Sequence, residues 1–401
     1  MIVRFSKNKI IYLAMVLITL GNSQFFIALG VENIIEYVGL FLLLCGCYLN
    51  ISLKSKKSWS NIIFLFVVMI FFCIGLLQQN MQVSTKIRLI VSGFILVSIA
   101  IMPSKFMSSF EQIRSAGYGV LLGIVVSTIL AALGGGKLYT LASEGFFVNF
   151  GFNGGLEHRN YYAYAVIASF MAIYVYYVLN EKRKLDKNIL ILELVLLLIS
   201  NARSSFIIMI IFLYFANYYK IIISQKNRTL TLVMSMITIV VGFLPLLLLL
   251  FTHSETFSFR INGLLNYLNK YGNDTYHMWF GTAAMAFRDS GMDYSDNVRS
   301  VIGWKGSVEL VVLNILIKNG ILGLIGYGLI FINYFKKIRK CKDKLMGANL
   351  YAIVISFIIS AFVESFLANI NFAYTVMSYS LIAGLIQIFE NYNSESEKKL
   401  S

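Results

Sequence analysis

The sequence predicts an all-α polytopic membrane protein with about twelve transmembrane helices and a large external loop. Three observations carry this expectation. Of 401 residues, 58% are apolar and only 13% charged, whereas a soluble domain is roughly half apolar and about a quarter charged. The apolar residues stand in long continuous runs, close to the ~20 residues a helix needs to cross ~30 Å of hydrocarbon. Lys and Arg then collect in the short gaps that one arrangement of those runs places on a single side.

The predicted spans run over 10–28, 34–52, 61–78, 87–103, 117–134, 161–180, 188–201, 203–220, 229–251, 320–335, 349–368 and 372–390. Helices are chosen over strands because the runs do not alternate, and because lipid forces every backbone group to pair internally. No small-residue cleavage site follows the first run, which is read as a retained helix. With the N-terminus inside, 23 of the 34 Lys and Arg fall on the inner side and eleven outside. The inner gaps KSKK (54–57), EKRKLDK (181–187) and KKIRKCKDK (336–344) agree with one another. Both termini are then cytoplasmic. The net charge of +15 is a topology signal, not the footprint of a nucleic-acid partner. Three regions follow: 1–251 with nine helices, 252–319 as the external loop with short helices, and 320–401 with three helices and a cytoplasmic tail. A second external segment covers about 135–160.

No Cys or His spacing suits a metal or a disulfide framework, so no metal site and no cofactor are expected. Arg203, in NARSS between two short apolar runs, is the most informative residue. It lies about 16 residues from Lys187 and from Lys220, a rise of roughly 24 Å, so the tip of this helical hairpin is expected below the outer surface. A guanidinium there needs an anion or water, and its fork suits phosphate oxygens; the bland alternative is a snorkelling arginine. Arg260 opens FRINGLLNYL, where Ile261, Leu264, Leu265 and Leu268 suit an amphipathic helix on the membrane surface. The alternative is a solvated surface charge.

His158, Arg159 and Asn160 precede the sixth span, and His277 lies within the loop. Each histidine is a candidate base or donor, with a structural role as the alternative; His253 carries less weight. Glu309 precedes the tenth span, as a candidate base or as a solvated residue. Glu364, in AFVESFL, is an intramembrane carboxylate and so a functional candidate, or else a helix–helix hydrogen bond. Arg288 joins Arg159, Asn160 and Glu364 as a candidate substrate contact. Asp289, Asp293 and Asp296 suit a sugar surface or plain solvation. Tyr161, Tyr162, Tyr164, Tyr174, Tyr176 and Tyr177 read as an interfacial belt.

Taken in order, GFNGGLEHRNYYAYAV, LLLISNARSSFIIMII, FRINGLLNYL with WFGTAAM, ELVVLNILIKNGILGLIGYGLIF and FVESFL resemble the O-antigen and capsule polymerase/ligase superfamily (Wzy-type polymerases and O-antigen ligases). The resemblance covers about residues 146–370. It implies a GT-C-like glycosyltransferase fold in the bacterial cytoplasmic (inner) membrane. It implies a donor glycan on undecaprenyl pyrophosphate, an acceptor repeat unit on the same carrier, and attack of an acceptor hydroxyl on the donor anomeric carbon with inversion. Arg203 and Arg260 would clamp the leaving pyrophosphate, with His158, His277 or Glu309 as the base. A flippase and a chain-length regulator are the implied protein partners. Ligases of the superfamily carry a functional His eleven residues before the Gly matching Gly320. Glu309 stands there instead, which favours a polymerase. The rival readings are a ligase-type transferase, a lipid-linked oligosaccharide flippase, whose external loops are usually short, and a non-catalytic assembly subunit.

Overall fold

A computed structural model describes residues 7–48, 56–77, 82–102, 107–144, 147–224, 255–281, 308 and 310–400. The chain is mostly α-helical. In order come α1 (Lys7–Leu20), α2 (Gln24–Ala28), α3 (Glu32–Tyr48), α4 (Lys56–Cys73, prolonged by a 3-10 turn Ile74–Leu77), α5 (Val83–Ile101) and α6 (Phe110–Leu130). After a β-hairpin follow α7 (Arg159–Leu179), α8 (Lys184–Ser200), α9 (Arg203–Ser224), α10 (Glu255–Tyr271), α11 (Thr275–Phe280), α12 (Val311–Ile338), α13 (Lys344–Ser360) and α14 (Ala373–Leu400). Eleven of the twelve apolar runs fall on helices; the ninth, 229–251, lies outside the described residues. Among the described residues, five stretches are long and apolar enough to cross a membrane: Ser58–Leu77, Val83–Ile101, Phe110–Gly135, Arg159–Leu179 and Val311–Ile338.

Local chemistry sets several helix ends. Ser109 and Gln112 form a capping box that starts α6: Ser109 accepts from the Gln112 N–H, and Gln112 Oε1 accepts from the Ser109 N–H at 3.1 Å, satisfying two otherwise orphan donors. Asp343 caps α13 by accepting from Leu345 N at 2.9 Å. Asn201 ends α8 in the left-handed region, with φ 50°, as a helix C-terminus favours.

Packing builds around α7. Its face turned to α6, α8 and α14 buries Tyr162, Tyr164 and Tyr176 to 1% exposure or less. This corrects the interfacial-belt reading for these three; Tyr161, Tyr174 and Tyr177 are only partly buried. A helix enclosed by neighbours has no lipid headgroup level to offer these rings, and Tyr176 instead donates to Glu111 at 2.7 Å. α1 lies against α6, where a Cβ on Gly119 would stand 2.5 Å from Tyr12 O and one on Gly123 2.6 Å from Thr19 Cβ. Small residues admit this close backbone approach. Elsewhere the outer surfaces are apolar: Ile34, Phe41, Phe66, Ile70 and Leu198 are all more than 60% exposed.

Four expectations need correction. The segment after α6 is not purely loop: β1 (Tyr139–Glu144) pairs antiparallel with β2 (Phe147–Phe152), Tyr139 opposite Phe152. Its residues include the aromatics Tyr139, Phe147, Phe150 and Phe152, a type that strands favour. The first span breaks at residues 21–23 into α1 and α2. The tenth helix begins at Val311, not at 320, and carries a non-helical Gly320 inside it. The eleventh stops at Ser360, so residues 361–372 form turns and a short 3-10 helix, Phe366–Ala368.

One end of the bundle is stitched together by loops. Gln24 N donates to Gly155 O at 2.9 Å, Glu157 N to Asn22 O at 2.9 Å, and Asn22 Nδ2 to Asn371 O at 2.7 Å. The ends of α1 and α13 and the starts of α3, α7 and α14 therefore share that end.

Gly281 and Gly320 hold α11 against the break in α12. Both have positive φ, 72° and 65°, and a Cβ on Gly320 would stand 2.3 Å from Trp279 O. Gly320→Ala is expected to lower stability by roughly 1–3 kcal/mol or more, because that backbone conformation is essentially restricted to glycine. Gly328→Ala, in the same helix with nothing within 4 Å of the added Cβ, is expected to raise it by about 0.5–1 kcal/mol. Thermal unfolding of the purified chain in detergent checks both.

Candidate functional site

The HRN segment forms the first turn of α7. His158 is its N-cap, and its Nδ1 accepts from Asn160 N at 3.2 Å. That bond uses the Nδ1 lone pair, so the neutral ring carries its proton on Nε2. In this geometry His158 offers a donor to anything approaching from the bundle end. Burial, and then the charge of Arg159, push its pKa below the ordinary 6.5, which keeps the ring neutral and the cap in place.

Asn160 reaches the opposite side of the chain. Its Nδ2 donates to Glu364 Oε1 at 2.7 Å across 204 residues. Glu364 is 6% exposed and sits in the non-helical segment after α13. The intramembrane-helix placement of Glu364 is thereby corrected; its polar contact to another helix is real. The segment is anchored at its start, where Val311 N donates to Ala361 O at 3.3 Å, and it runs on to Asn371 and the Asn22 bond.

The Arg203 turn lies beside the same cluster. Asn201 Nδ2 donates to Phe150 O at 3.0 Å. One residue on, Gly151 is sandwiched: a Cβ there would meet Ser200 O at 2.6 Å and Arg159 Cδ at 2.8 Å. Strand β2 thus joins the Arg159 side chain to the α8–α9 turn, and only glycine fits. Arg203 is exposed, and among the described residues its side chain forms no hydrogen bond or ion pair. The 17 residues of α8 rise about 25 Å, short of ~30 Å of hydrocarbon. α9 is longer, but its apolar stretch is Arg203–Tyr218.

α10 confirms a helix where FRINGLLNYL suggests one, and its apolar stripe divides. Leu264 and Leu268 pack with buried Tyr267 against α12, while Ile261 and Leu265 are 40% and 51% exposed. Tyr271 stacks on His277, ring centroids 4.4 Å apart at 11°. Asp274 caps α11 through His277 N at 3.0 Å and places Oδ2 3.7 Å from His277 Nδ1. Burial lowers the His277 pKa and Asp274 opposes it. Arg260 lies on the α10 backbone path; Arg288, Glu309, His253, Asp289, Asp293 and Asp296 lie outside the described residues.

The structure therefore brings together Asn160 with Glu364, and Arg159 with the Arg203 turn, through Gly151. His277 joins only indirectly, through α11 and the Gly281–Gly320 contact. Among the described residues no three His, Cys, Asp or Glu side chains gather in a way that would hold a metal ion.

The opposite bundle end carries a network that the sequence reading missed. Arg114 Nε donates to both oxygens of Asp186, at 2.9 and 3.2 Å, and Tyr118 OH to Asp186 Oδ1 at 2.6 Å. Arg183 bonds Glu111 at 3.0 Å and Glu181 at 2.6 Å. The lone Asp within EKRKLDK was the available signal, since an acid in a basic gap requires a reason.

Two outcomes follow. A double-mutant cycle on Asn160→Ala and Glu364→Ala should return a coupling of about 1–3 kcal/mol in thermal unfolding, since a hydrogen bond to a buried carboxylate is among the stronger ones. The His158 cap should be acid-sensitive. The folded chain holds this proton less readily than the unfolded chain, so the cap's contribution is complete above about pH 6.5 and is lost as pH falls through the lowered folded value. His158→Asn keeps a capping acceptor without titrating, and unfolding curves across that window should flatten by its share while His277 retains its own. No protein-family model matches the chain, and no curated protein matches it.

Proposed function

We propose that this chain is a polysaccharide polymerase of the Wzy type. It joins undecaprenyl-pyrophosphate-linked repeat units on the outer face of the bacterial cell membrane, with about twelve spans, a GT-C-like fold and both termini in the cytoplasm. The observation that carries this reading is the convergence of segments scattered over residues 150–370. The GFNGG strand touches the NARSS turn, HRN bonds the VES segment, and the WFG glycine meets the NG glycine of α12. These are the segments on which the family resemblance rests, and a shared site is what such a resemblance requires.

In the proposed reaction an acceptor hydroxyl attacks the donor anomeric carbon. The new C–O bond forms as the bond to the pyrophosphate oxygen breaks, and undecaprenyl pyrophosphate leaves with the electron pair. Arg203 receives that negative charge in this reading, which its exposure and its lack of a carboxylate partner among the described residues support. Preorganised cations of this kind stabilise charge that develops in the transition state. Arg260, which opens the apolar part of α10, is the second cation of this reading. The acceptor proton goes to His277 or Glu309; His158, whose Nδ1 is occupied by the cap, serves as a donor. Asn160 and Glu364 position the wall beside the arginine turn, and Arg159 and Arg288 are the further substrate contacts.

A glycan gel from cells lacking the gene, complemented with wild type or variants, tests the reading. A ladder with wild type and a single-repeat product in the null establishes the polymerase. Lipid-linked repeats trapped inside, with no external glycan, would establish a flippase. Finished polymer left on its carrier would establish a ligase. Arg203→Lys should fail nearly as badly as Arg203→Ala, with a loss on the order of 10²-fold, because lysine cannot fork onto two phosphate oxygens. Wild-type polymer length in the Lys variant, at normal protein level, would sink the clamp. Polymerisation by the purified chain should persist in EDTA; a loss restored specifically by a divalent ion would refute catalysis by arginines alone.

A further inference from the structure

The bundle end that holds the candidate site contains a second feature, a cavity of about 530 Å³ between α3, α5, α12 and the segment after α13. This lies within the roughly 300–1,000 Å³ of small-molecule sites. Two cations line it, Arg88 from α5 and Lys318 from α12, with Asn33, Ser92, Asn369 and Asn371 as further polar lining. No carboxylate is among its described lining residues. Lys318 is held in place by its neighbour: Asn319 Nδ2 donates to Phe72 O at 3.1 Å, tying this part of α12 to the end of α4.

The surroundings say what kind of anion fits. Tyr37 lines the cavity, and on its helix Ile34 and Phe41 stand three and four residues away, 65% and 63% exposed. Residues so spaced share a helix face. On α5 the cavity-lining Arg88 is flanked by Ile87 and Val91, 55% and 40% exposed. A polar, doubly cationic cavity thus opens beside apolar helix faces. That combination suits a phosphate headgroup attached to a long apolar chain, with the arginine fork on phosphate oxygens and the lysine as a point charge.

We propose that this cavity binds the phosphate headgroup of an isoprenoid lipid, as a site separate from the Arg203 turn. On the polymerase reading, on which this role rests, its occupant is the acceptor. One lipid pyrophosphate must leave during transfer while the other stays attached to its sugar, and the two need separate anion sites. The segment that lines the cavity with Asn369 and Asn371 also carries Glu364, bonded to Asn160. The held acceptor is thereby tied to the wall of the reaction site.

The test is binding to the purified full-length chain in nanodiscs, with geranylgeranyl pyrophosphate, inorganic pyrophosphate and phosphatidylglycerol as separate probes. Arg88→Gln with Lys318→Gln should weaken geranylgeranyl pyrophosphate binding tenfold or more. Ser92→Leu, which keeps both cations but fills the cavity, should do the same, so a folding defect from charge removal cannot imitate the result. All affinities are read in the Arg203→Ala background, so that pyrophosphate binding at the proposed clamp does not mask the cavity's own. Unchanged affinity in both cavity variants overturns the proposal. Equal binding of inorganic pyrophosphate overturns the lipid assignment, and equal competition by phosphatidylglycerol overturns the isoprenoid assignment. Because binding is read without any glycan, a failure of the polymerase reading would show in the ladder and leave this result standing.

Discussion

A buried carboxylate has to be met by a donor, and Glu364 is met by Asn160, 204 residues earlier in the chain. Leaving either group unpaired in a dry interior costs more than the bond itself contributes. The bond therefore fixes where the segment after α13 can lie. Once that segment is placed, Ala361 receives the first turn of α12, Asn371 receives Asn22 from the end of α1, and the start of α14 follows. Four parts of the chain take their relative positions from this one wall.

The same segment raises a second constraint. Apart from the 3-10 helix Phe366–Ala368 its backbone is irregular, and a buried irregular stretch needs protein to satisfy its polar groups. Several of them are met here. Glu364 N donates to Ser360 O, Asn369 N to Phe366 O, the Thr375 hydroxyl also to Phe366 O, and Tyr379 OH to Leu367 O. Phe366, Leu367 and Ala368 are buried, and Phe366 packs its ring against Tyr161, Tyr164 and Phe372. An irregular but internally bonded and packed segment is a better platform for a site than a frayed helix end, because its side chains have fixed directions.

The apolar helices were legible because hydropathy reports them directly, and the α10 stripe was legible because its period is helical. The breaks were not. Neither the stop at Ser360 nor the bend at Gly320 is marked by proline, as the only two prolines are Pro103 and Pro245. Both breaks lie within apolar sequence, where an averaging window sees one continuous run. The hairpin escaped for a related reason: its strands are six residues each and lie among glycines that read as loop. The segments of the candidate site were legible as motifs, but their pairing was not. Nothing local in FVESFL says that its glutamate turns to the asparagine of HRN, since that contact depends on a helix ending early.

The two ends of the bundle handle charge in opposite ways. At the end where α6 and α8 begin, Arg114 and Arg183 are answered within the chain by Asp186, Glu111 and Glu181, and Asp186 is wholly buried under its partners. Such pairs lock helix ends and leave little field for a ligand. At the other end Arg203 stands exposed at the turn, and Arg88 and Lys318 line a cavity without a carboxylate among its described lining residues. Cations next to apolar surface raise the local potential, and a low-dielectric wall focuses it. An end built this way attracts anions that the chain does not itself supply. For a protein whose helices are apolar enough to sit in a membrane, the anions that arrive together with apolar tails are lipid phosphates. The charge asymmetry thus supports the proposed substrate chemistry by an argument that uses none of the motifs.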